Sequence, residues 1–241
     1  EARCEGGKIE TDWADNATDH IDGRTPTLVM ARTNQKVAQL QAMLTSARIP
    51  WKSAKTGKRW PPKAAVTTSD AFESLATGSV IGGDEWRRIV AAVPAAMLVR
   101  GTKTKFLPAA SAAEADFVTL GTLKNYGGTE ELQEYVASGK WTGIVSREER
   151  EAQAAHQKWG DAAVDPPTIV STIHGTKGME ADKVVLCTEI GGPVLSNLRT
   201  PEGQEEERRV WYVGATRARD HLVLLKSGRH NYSDLIDAVE E

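Results

Sequence analysis

Apolar residues near the start of the chain are arranged as a strand, a helix and a second strand. Residues 27–31 form a short apolar run of the kind that fills a buried strand. Apolar side chains then recur at helical spacing across residues 35–47, which predicts an amphipathic helix. Residues 49–51 (Ile-Pro-Trp) resume the strand pattern, because a proline is tolerated at the edge of a sheet.

The same alternation returns after the Pro-Pro pair at residues 166–167. Apolar runs predict strands over residues 168–173, 183–188 and 221–225, and a helix is predicted over residues 205–217. Strands that alternate with helices are typical of an α/β fold, a parallel sheet flanked by helices. Right-handed crossovers then place the loops that follow the strands along one edge of the sheet, where ligands usually bind.

Residues 52–165 lack this strand pattern and are predicted to form a mainly helical insertion. The helices are predicted over residues 69–76, 84–99, 129–137 and 148–159, the last opened by a capping box of Ser146 and Glu149. Residues 25–51 and 166–228 are therefore expected to form one domain around this inserted subdomain. The remaining residues are predicted to be a polar leader (1–24) and a C-terminal tail (229–241).

Composition narrows the possible partners. The net charge is −3, so a protein that binds nucleic acid must rely on a few placed residues rather than a broad basic surface. No apolar run approaches the roughly 18 residues that cross a membrane, and the first residues lack the basic-then-apolar pattern of a signal peptide. Only Cys4 and Cys187 are present, which favours a buried free thiol in a reducing compartment, and no metal-ligand spacing occurs. The expected location is cytoplasmic, either associated with the nucleoid or in a virus-infected cell.

The densest chemical signal is the segment Ser-Thr-Ile-His-Gly-Thr-Lys-Gly-Met-Glu at residues 171–180. A strand runs into a tight loop in which Gly175 and Gly178 permit close approach of a ligand to the backbone. The polar residues His174, Thr176 and Lys177 are expected to point into a cleft. An ordinary strand-to-helix turn is the alternative.

A second signal is the segment at residues 205–219. Arg217 continues a helical face that includes Val210, Val213 and Gly214, and an arginine on a buried face needs a partner. A phosphate is suitable because guanidinium binds it bidentately, and an acidic neighbour is the alternative. The glutamates at 205–207 are expected to form a solvated first helical turn.

The third signal is the polar stretch that follows the first strand. Arg32 and Asn34 lie where a buried strand ends and a helix begins. Asn34 could bind a ligand, or it could simply cap the helix.

Together these segments resemble the UvrD/Rep/PcrA-type superfamily 1 helicases. "LVMARTNQKVAQLQAMLTSARIPW" is similar to the "YRTN" segment with its trailing helix, "TIHGTKGMEADKVVL" resembles motif V, and "EEERRVWYVGATRARDHLVLL" resembles motif VI. The matching stretches, residues 27–51 and 168–226, cover somewhat over a third of the chain. Departures are Met179 in place of Leu, and Ala181-Asp182 in place of a pair that contains Phe.

The resemblance implies a second RecA-like motor domain that holds ATP against a first one. Arg217 would be the arginine finger, Glu180 would contact the ribose, and Gly178 would let the loop lie close to the nucleotide. Contacts with single-stranded DNA would come from four residues. They are Arg32, Asn34, Thr172 and His174.

Several parts of a complete motor are missing from the sequence. No GxxxxGK[ST] phosphate loop occurs, and Asp84-Glu85 follows two glycines rather than the apolar strand of a Mg²⁺-binding acidic pair. We expect these parts, and hence the Mg²⁺ ligands, on a preceding N-terminal RecA-like domain of the same full-length protein. The chain alone is then predicted to be inactive as an ATPase.

The sequence leaves open the role of the insertion and two alternative functions. Residues 52–63 are basic, and Trp51 and Trp60 lie at the edges of this stretch, so it could bind a DNA duplex or a single strand. Alternatively, it is a solvated loop whose tryptophans pack on the core. Alternatives to a helicase motor acting on single-stranded or partially duplex DNA are a non-catalytic nucleic-acid or protein-binding module and the helicase half of a larger nuclease.

Overall fold

The computed structural model describes residues 7–108, 115, 117–143, 147–228 and 230–232. The chain forms two compact units, one made of Glu1–Trp60 with Trp159–Glu241 and the other of Pro61–Lys158. The second unit starts later and ends earlier than the insertion expected at residues 52–165.

The first unit is built on a mostly parallel sheet, which confirms the predicted α/β class. Its described strands are β1 (Lys8–Trp13), β2 (Thr27–Ala31), β3 (Trp51–Ser53), β4 (Arg59–Trp60), β5 (Thr168–Thr172), β6 (Ala181–Cys187) and β7 (Ala218–Lys226). They are ordered β1-β7-β6-β2-β5-β3-β4, and only β4 is antiparallel to its neighbour. This arrangement is that of a RecA-like domain.

The helices of the chain fall in both units. Those that the structure describes are α1 (Asn34–Ser46), α2 (Lys63–Ala76), α3 (Gly83–Ala92), α4 (Thr102–Phe106), α5 (Glu130–Ala137), α6 (Arg147–Trp159), α7 (Asp161–Val164), α8 (Gly192–Asn197) and α9 (Pro201–Ala215). The expected capping box of α6 includes Ser146, which lies outside the described residues. In unit Pro61–Lys158 the described strand pairing is limited to two isolated bridges, Ile81 with Val118 and Leu98 with Gly128.

β2 lies at the centre of the sheet for a reason that is visible in its sequence. All five of its residues are buried, and it pairs with β5 on one side and β6 on the other. Helix α1 follows directly, with its first turn capped by the Thr33 hydroxyl, which accepts a hydrogen bond from the Lys36 N–H at 3.2 Å. The side chains of Val37, Leu40 and Leu44 then pack inward at helical spacing.

Residues 1–24 are not simply a leader. β1 is an edge strand that pairs in parallel with β7, and a 3-10 helix follows over Ala14–His20. The polar sequence of β1 hid this strand, because an edge strand with an exposed face needs no apolar run. Of the expected tail, the described residues 230–232 include Tyr232, which is buried and stacks on Trp211 with ring centroids 5.1 Å apart.

Two helix boundaries differ from the predicted ones because of prolines. α3 ends at Ala92 rather than at residue 99, since Pro94 disfavours helical backbone at the residue before it, and Val93 is extended. α9 begins at Pro201, several residues before the predicted start at 205. There the Thr200 hydroxyl caps the helix through the Gly203 N–H at 3.1 Å, and Pro201 needs no N–H in the first turn.

Candidate functional site

The predicted site residues fall into two groups at opposite edges of the sheet. Ala31 is in register with Thr172 and with Cys187, so the residues that follow β2 and β5 meet at the carboxyl edge. Ala181 pairs with Ala218, so Glu180 and Arg217 precede β6 and β7 at the amino edge. The loops that follow β2 and β5 do begin at one edge, as expected, whereas Glu180 and Arg217 lie at the other.

The segment at residues 173–180 explains the separation. It leaves β5 at the carboxyl edge, forms a 3-10 turn over Ile173–Thr176, and reaches the amino edge where β6 begins. The structure thus brings Gly178 and Glu180 to Arg217, whereas Thr172 and His174 lie towards Arg32 and Asn34. One connecting segment spans both groups.

At the amino edge, Arg217 ties the end of helix α9 to this connecting segment. Its Nε donates to the Val213 carbonyl at 3.0 Å, and its Nη1 donates to the Met179 carbonyl at 3.2 Å. The Ala181 N–H in turn donates to the Arg217 carbonyl at 3.1 Å. The guanidinium therefore contacts backbone carbonyls rather than the acidic neighbour that the sequence left open.

The sequence suggested that Arg217 continues the buried face of the helix, but the structure shows that it does not. α9 ends at Ala215, and Val213 is exposed. The buried positions of the helix are Gly203, Glu207, Trp211 and Gly214. Gly214 packs against the connecting segment, where an added Cβ would lie in van der Waals contact with Ile173 at 3.4 Å.

A cavity of about 390 Å³ opens beside Arg217 at the amino edge. Three cationic side chains line it, namely Lys8, Arg217 and Arg219, together with the exposed ring of Tyr212. Glu180 also lines it, and its carboxylate lies 3.5 Å from the Arg219 guanidinium, which is also 3.5 Å from Asp182.

The loop beside this cavity depends on a glycine. Gly178 has a φ of +79°, a conformation that L side chains adopt rarely, and space for an added Cβ is open. The glycine is thus required by backbone conformation rather than by crowding within the described residues.

At the carboxyl edge, Arg32 is held by a buried glutamate. Its Nε and Nη2 donate to the two carboxylate oxygens of Glu207 at 3.0 and 2.8 Å, and the Glu207 side chain is only 1% exposed. These hydrogen bonds raise the pKa of the Arg32 guanidinium above its usual value. The expectation that residues 205–207 form a solvated first turn is wrong for Glu207, because the helix starts earlier and turns that side chain inward.

The other residues of this edge differ in their roles. Thr172 caps the 3-10 turn by accepting the Gly175 N–H at 3.2 Å, and His174 is exposed within that turn. Asn34 is exposed at the first position of α1, where Thr33 rather than Asn34 is the cap. Thr176 does not point into a cleft, since it is fully buried and its hydroxyl donates to the Ile173 carbonyl at 2.8 Å.

The basic stretch after β2 and α1 forms a hairpin rather than an aromatic platform. Trp51 and Trp60 pair across β3 and β4, and each is 6% exposed, so neither ring can stack on a base. Lys52 pairs with Asp165 at 2.7 Å, and Arg59 donates to the Ala163 carbonyl at 2.6 Å. The interpretation in which both tryptophans pack on the core is the one that the structure supports.

Comparison with known proteins gives a match to one protein family and to several relatives. Residues 153–228 match the family model described as the UvrD-like helicase C-terminal domain. Over 91 residues the chain is 35% identical to the ATP-dependent DNA helicase UvrD2 of Mycobacterium bovis and to the same-named protein of Mycobacterium tuberculosis. That alignment covers 34% of this chain but 12% of those relatives.

The part of the chain that carries motifs V and VI is thus similar to a UvrD-like helicase C-terminal domain. The resemblance inferred from motifs V and VI is thereby confirmed. The UvrD-like match includes the connecting segment and Arg217, whereas Arg32 and Asn34 lie outside it.

Sequence reasoning missed Glu207 as a partner of Arg32. The signal was the helical spacing of Gly203, Glu207, Trp211 and Gly214, which marks Glu207 as an inward position. Among the residues described, no group of three or more His, Cys, Asp or Glu side chains could hold a metal ion. No helix within those residues has the length and hydropathy needed to cross a membrane.

Proposed function

We propose that this chain is the C-terminal motor region of an ATP-dependent DNA helicase or translocase. The observation that supports this most directly is the hydrogen bond from Arg217 to the Met179 carbonyl. It joins the end of α9 to the loop of Gly178 and Glu180, beside a cavity of about 390 Å³ that is lined by Lys8, Arg217 and Arg219 as well as by Glu180 and Asp220. A phosphate group suits such a cavity, because guanidinium and ammonium groups are its usual protein partners.

In this proposal the residues of the amino edge handle ATP. ATP supplies the phosphoanhydride bond whose hydrolysis drives movement, and Arg217 stabilises the negative charge that develops during the transfer. Glu180 orients the ribose, and Gly178 keeps the backbone close to the nucleotide. Arg217 suits its role because its backbone contacts hold it in place without neutralising its charge.

The residues of the carboxyl edge contact single-stranded or partially duplex DNA. Arg32 supplies directed N–H donors, His174 supplies an exposed ring, and Asn34 and Thr172 supply polar groups. Because residues 173–180 run from this edge to the amino edge, a shift at the DNA contacts is transmitted by a short path to the loop beside Arg217.

The proposed motor is complete only with a second domain. An N-terminal RecA-like domain of the same full-length protein supplies the phosphate loop and the Mg²⁺ ligands, which fits the absence of a GxxxxGK[ST] motif from this sequence. The chain by itself then hydrolyses no ATP. Helicase activity of the whole protein is part of this proposal.

The test is DNA-stimulated ATP hydrolysis by the full-length protein with Arg217→Ala. We expect turnover to fall about 10³-fold, the effect typical of removing an arginine finger. Arg209→Ala is the matched control, since Arg209 is an exposed arginine on α9 that pairs with Glu205, and it should leave turnover unchanged. Thermal unfolding of each variant checks that the fold persists. Unchanged turnover in a folded Arg217→Ala protein would contradict the proposal and favour a binding module without catalysis.

A further inference from the structure

A groove of about 550 Å³ lies at the carboxyl edge, between the end of β2 and helices α8 and α9. Its polar lining comes from Arg32, Thr33, Ser196, Asn197 and Glu207, with Pro193 and Val194 completing it. Motif resemblance assigns no role to the α8 residues. Arg32, which lines the groove, is nevertheless the arginine among the DNA contacts proposed for this edge.

Arg32 is fixed within this groove rather than free to sample rotamers. Glu207 accepts hydrogen bonds from its Nε and Nη2, which uses two of the five N–H donors of a guanidinium. The Glu207 side chain is only 1% exposed. A carboxylate buried to this extent is stable only with a cationic partner, here Arg32. The pair therefore sets the direction in which the remaining donors of Arg32 point.

The neutral side chains of the groove suit an anionic oxygen. Ser196 is exposed and carries a hydroxyl, and the Thr33 hydroxyl accepts the Lys36 N–H while it can donate its own proton. Because Glu207 offsets the charge of Arg32, recognition here depends on directed hydrogen bonds more than on net charge. Phosphodiester oxygens of a single strand that follows the sheet edge accept such bonds.

We propose that this groove is a subsite for one backbone phosphate of single-stranded nucleic acid, in which Arg32, Thr33 and Ser196 donate to the phosphate and Glu207 acts as a positioning residue for Arg32. The inference rests on the proposed function, since it requires that this edge binds a single strand. It adds helix α8 and Glu207 to that site.

Binding of a fluorescein-labelled oligo-dT of about 12 nucleotides, a usual site size for single-strand-binding folds, tests the role of Glu207. Glu207→Gln removes one negative charge, so electrostatics alone predicts tighter binding. If Glu207 positions Arg32, the affinity for oligo-dT should instead fall about threefold or more, the effect of losing one directed hydrogen bond. The slope of log affinity against log salt concentration should also fall by about 0.7, the value for one lost phosphate contact on a single strand.

Matched variants separate these effects from general electrostatics and from unfolding. Glu202→Gln makes the same charge change at an exposed position of α9 and should leave affinity unchanged or slightly increased. Glu207→Asp keeps the carboxylate and should restore part of the affinity. Thermal unfolding of every variant identifies any that has lost its fold.

A second pair of variants tests the groove without altering the Arg32–Glu207 pair. Ser196→Asp places a negative charge in the groove and should weaken oligo-dT binding about tenfold or more, because a charge-assisted contact is replaced by repulsion. Ser79→Asp adds the same charge at an exposed position of unit Pro61–Lys158 and should have little effect.

The outcomes distinguish this inference from the proposed function. If the wild-type chain binds no oligo-dT, the DNA contact proposed for the whole edge fails, and the groove fails with it. If the wild type binds, but Glu207→Gln binds more tightly with an unchanged salt slope and Ser196→Asp binds normally, only the groove inference is overturned. Weaker binding in both variants supports it.

Discussion

Gly203 marks the closest approach between helix α9 and the chain that precedes it. A Cβ at this position would lie 2.0 Å from the Asn197 carbonyl oxygen, far inside van der Waals contact. Gly214 faces the core on the same helix, but a Cβ there would meet its nearest neighbours at 3.4 Å. Both glycines lie in α9, Gly203 in its first turn and Gly214 in its last, yet the tertiary contacts around them differ.

Gly203→Ala should therefore destabilise the chain by about 1–3 kcal/mol, the usual effect of overpacking, although alanine is the better helix former. Gly214→Ala is the matched control and should cost less, since the neighbouring Ile173 and Leu186 side chains need to move only slightly. Urea unfolding followed by circular dichroism measures both. A Gly203→Ala protein as stable as the wild type would show that α9 can move away from Asn197.

The environment of Glu207 also differs from what its neighbours in the sequence suggest. A glutamate on a mostly polar stretch reads as solvated from sequence, yet its side chain is buried because the neighbouring helical positions pack on the sheet. Arg32 lies 175 residues away in the chain, so the pairing depends on β2 and α9 meeting in space.

At the scale of elements, β1 is joined to its surroundings by ionic contacts as well as by backbone pairing. The Glu10 carboxylate accepts from His221 at 2.8 Å, and the Asp12 carboxylate contacts His20 at 2.7 Å. A hydrogen bond from Lys8 lowers the pKa of Glu10 below its usual 4.5, and the hydrogen bond with His20 lowers the pKa of Asp12 below its usual 3.8. Burial lowers the pKa of His221.

These shifts all make the edge strand sensitive to acid. A carboxyl group whose pKa is lower when folded contributes stability above its unfolded pKa, and that stability is lost as the pH falls through the folded pKa. A histidine whose pKa is lowered by burial acts in the same direction, because protonation favours the unfolded chain. Thermal stability should therefore begin to fall below about pH 6.5, where His221 of the unfolded chain takes up a proton, and should fall further below about 4.5, where the carboxyl groups do.

Asp12→Asn tests this account of β1. At pH 7 the variant should melt at a lower temperature than the wild type, because it lacks the ionised carboxylate that His20 contacts. The difference should shrink as the pH falls below 3.8, where the wild-type carboxylate also becomes protonated. Asp15→Asn, on the adjoining 3-10 helix, is the matched control. A difference that is constant from pH 7 to pH 3 would contradict the linkage.

At the scale of the whole molecule, each compact unit has a hydrophobic core of its own. The core of Pro61–Lys158 contains Phe72, which stacks on Trp141 with ring centroids 5.3 Å apart. The core of the sheet unit includes Met30, Leu186 and Trp211 on the strands and on α9. Each unit therefore buries its apolar side chains against other residues of the same unit.

Phe72→Ala should destabilise unit Pro61–Lys158 by about 3–5 kcal/mol, since the stacked ring is fully buried and leaves a cavity. Hydrogen exchange should show faster exchange in α2 and α5, whereas β2 and β6 keep their protection. Phe117→Ala is the control in the same unit, because that ring is 72% exposed. Loss of protection in β2 and β6 as well would mean that the two cores unfold together.

Sequence alone determined the features that depend on neighbouring residues. β2 was predicted with its observed ends, and α1 within one residue at each end, because apolar periodicity acts over a few positions, although the cap is Thr33 rather than Asn34. The motifs near residues 171–180 and 205–219 indicated the helicase family for the same reason, since each is a continuous run of letters.

Only the tertiary structure decided which of these residues meet. The edge strand β1, the burial of Glu207 against Arg32 and the contact of Arg217 with the Met179 carbonyl all join segments that are distant in the chain. Periodicity cannot reveal such contacts, because they follow from strand order and from the path of the connecting segment across the sheet. The separation of the two predicted groups to opposite edges has the same origin: local sequence sets which residues form each strand, but the packing of the whole sheet sets which strand ends share a surface.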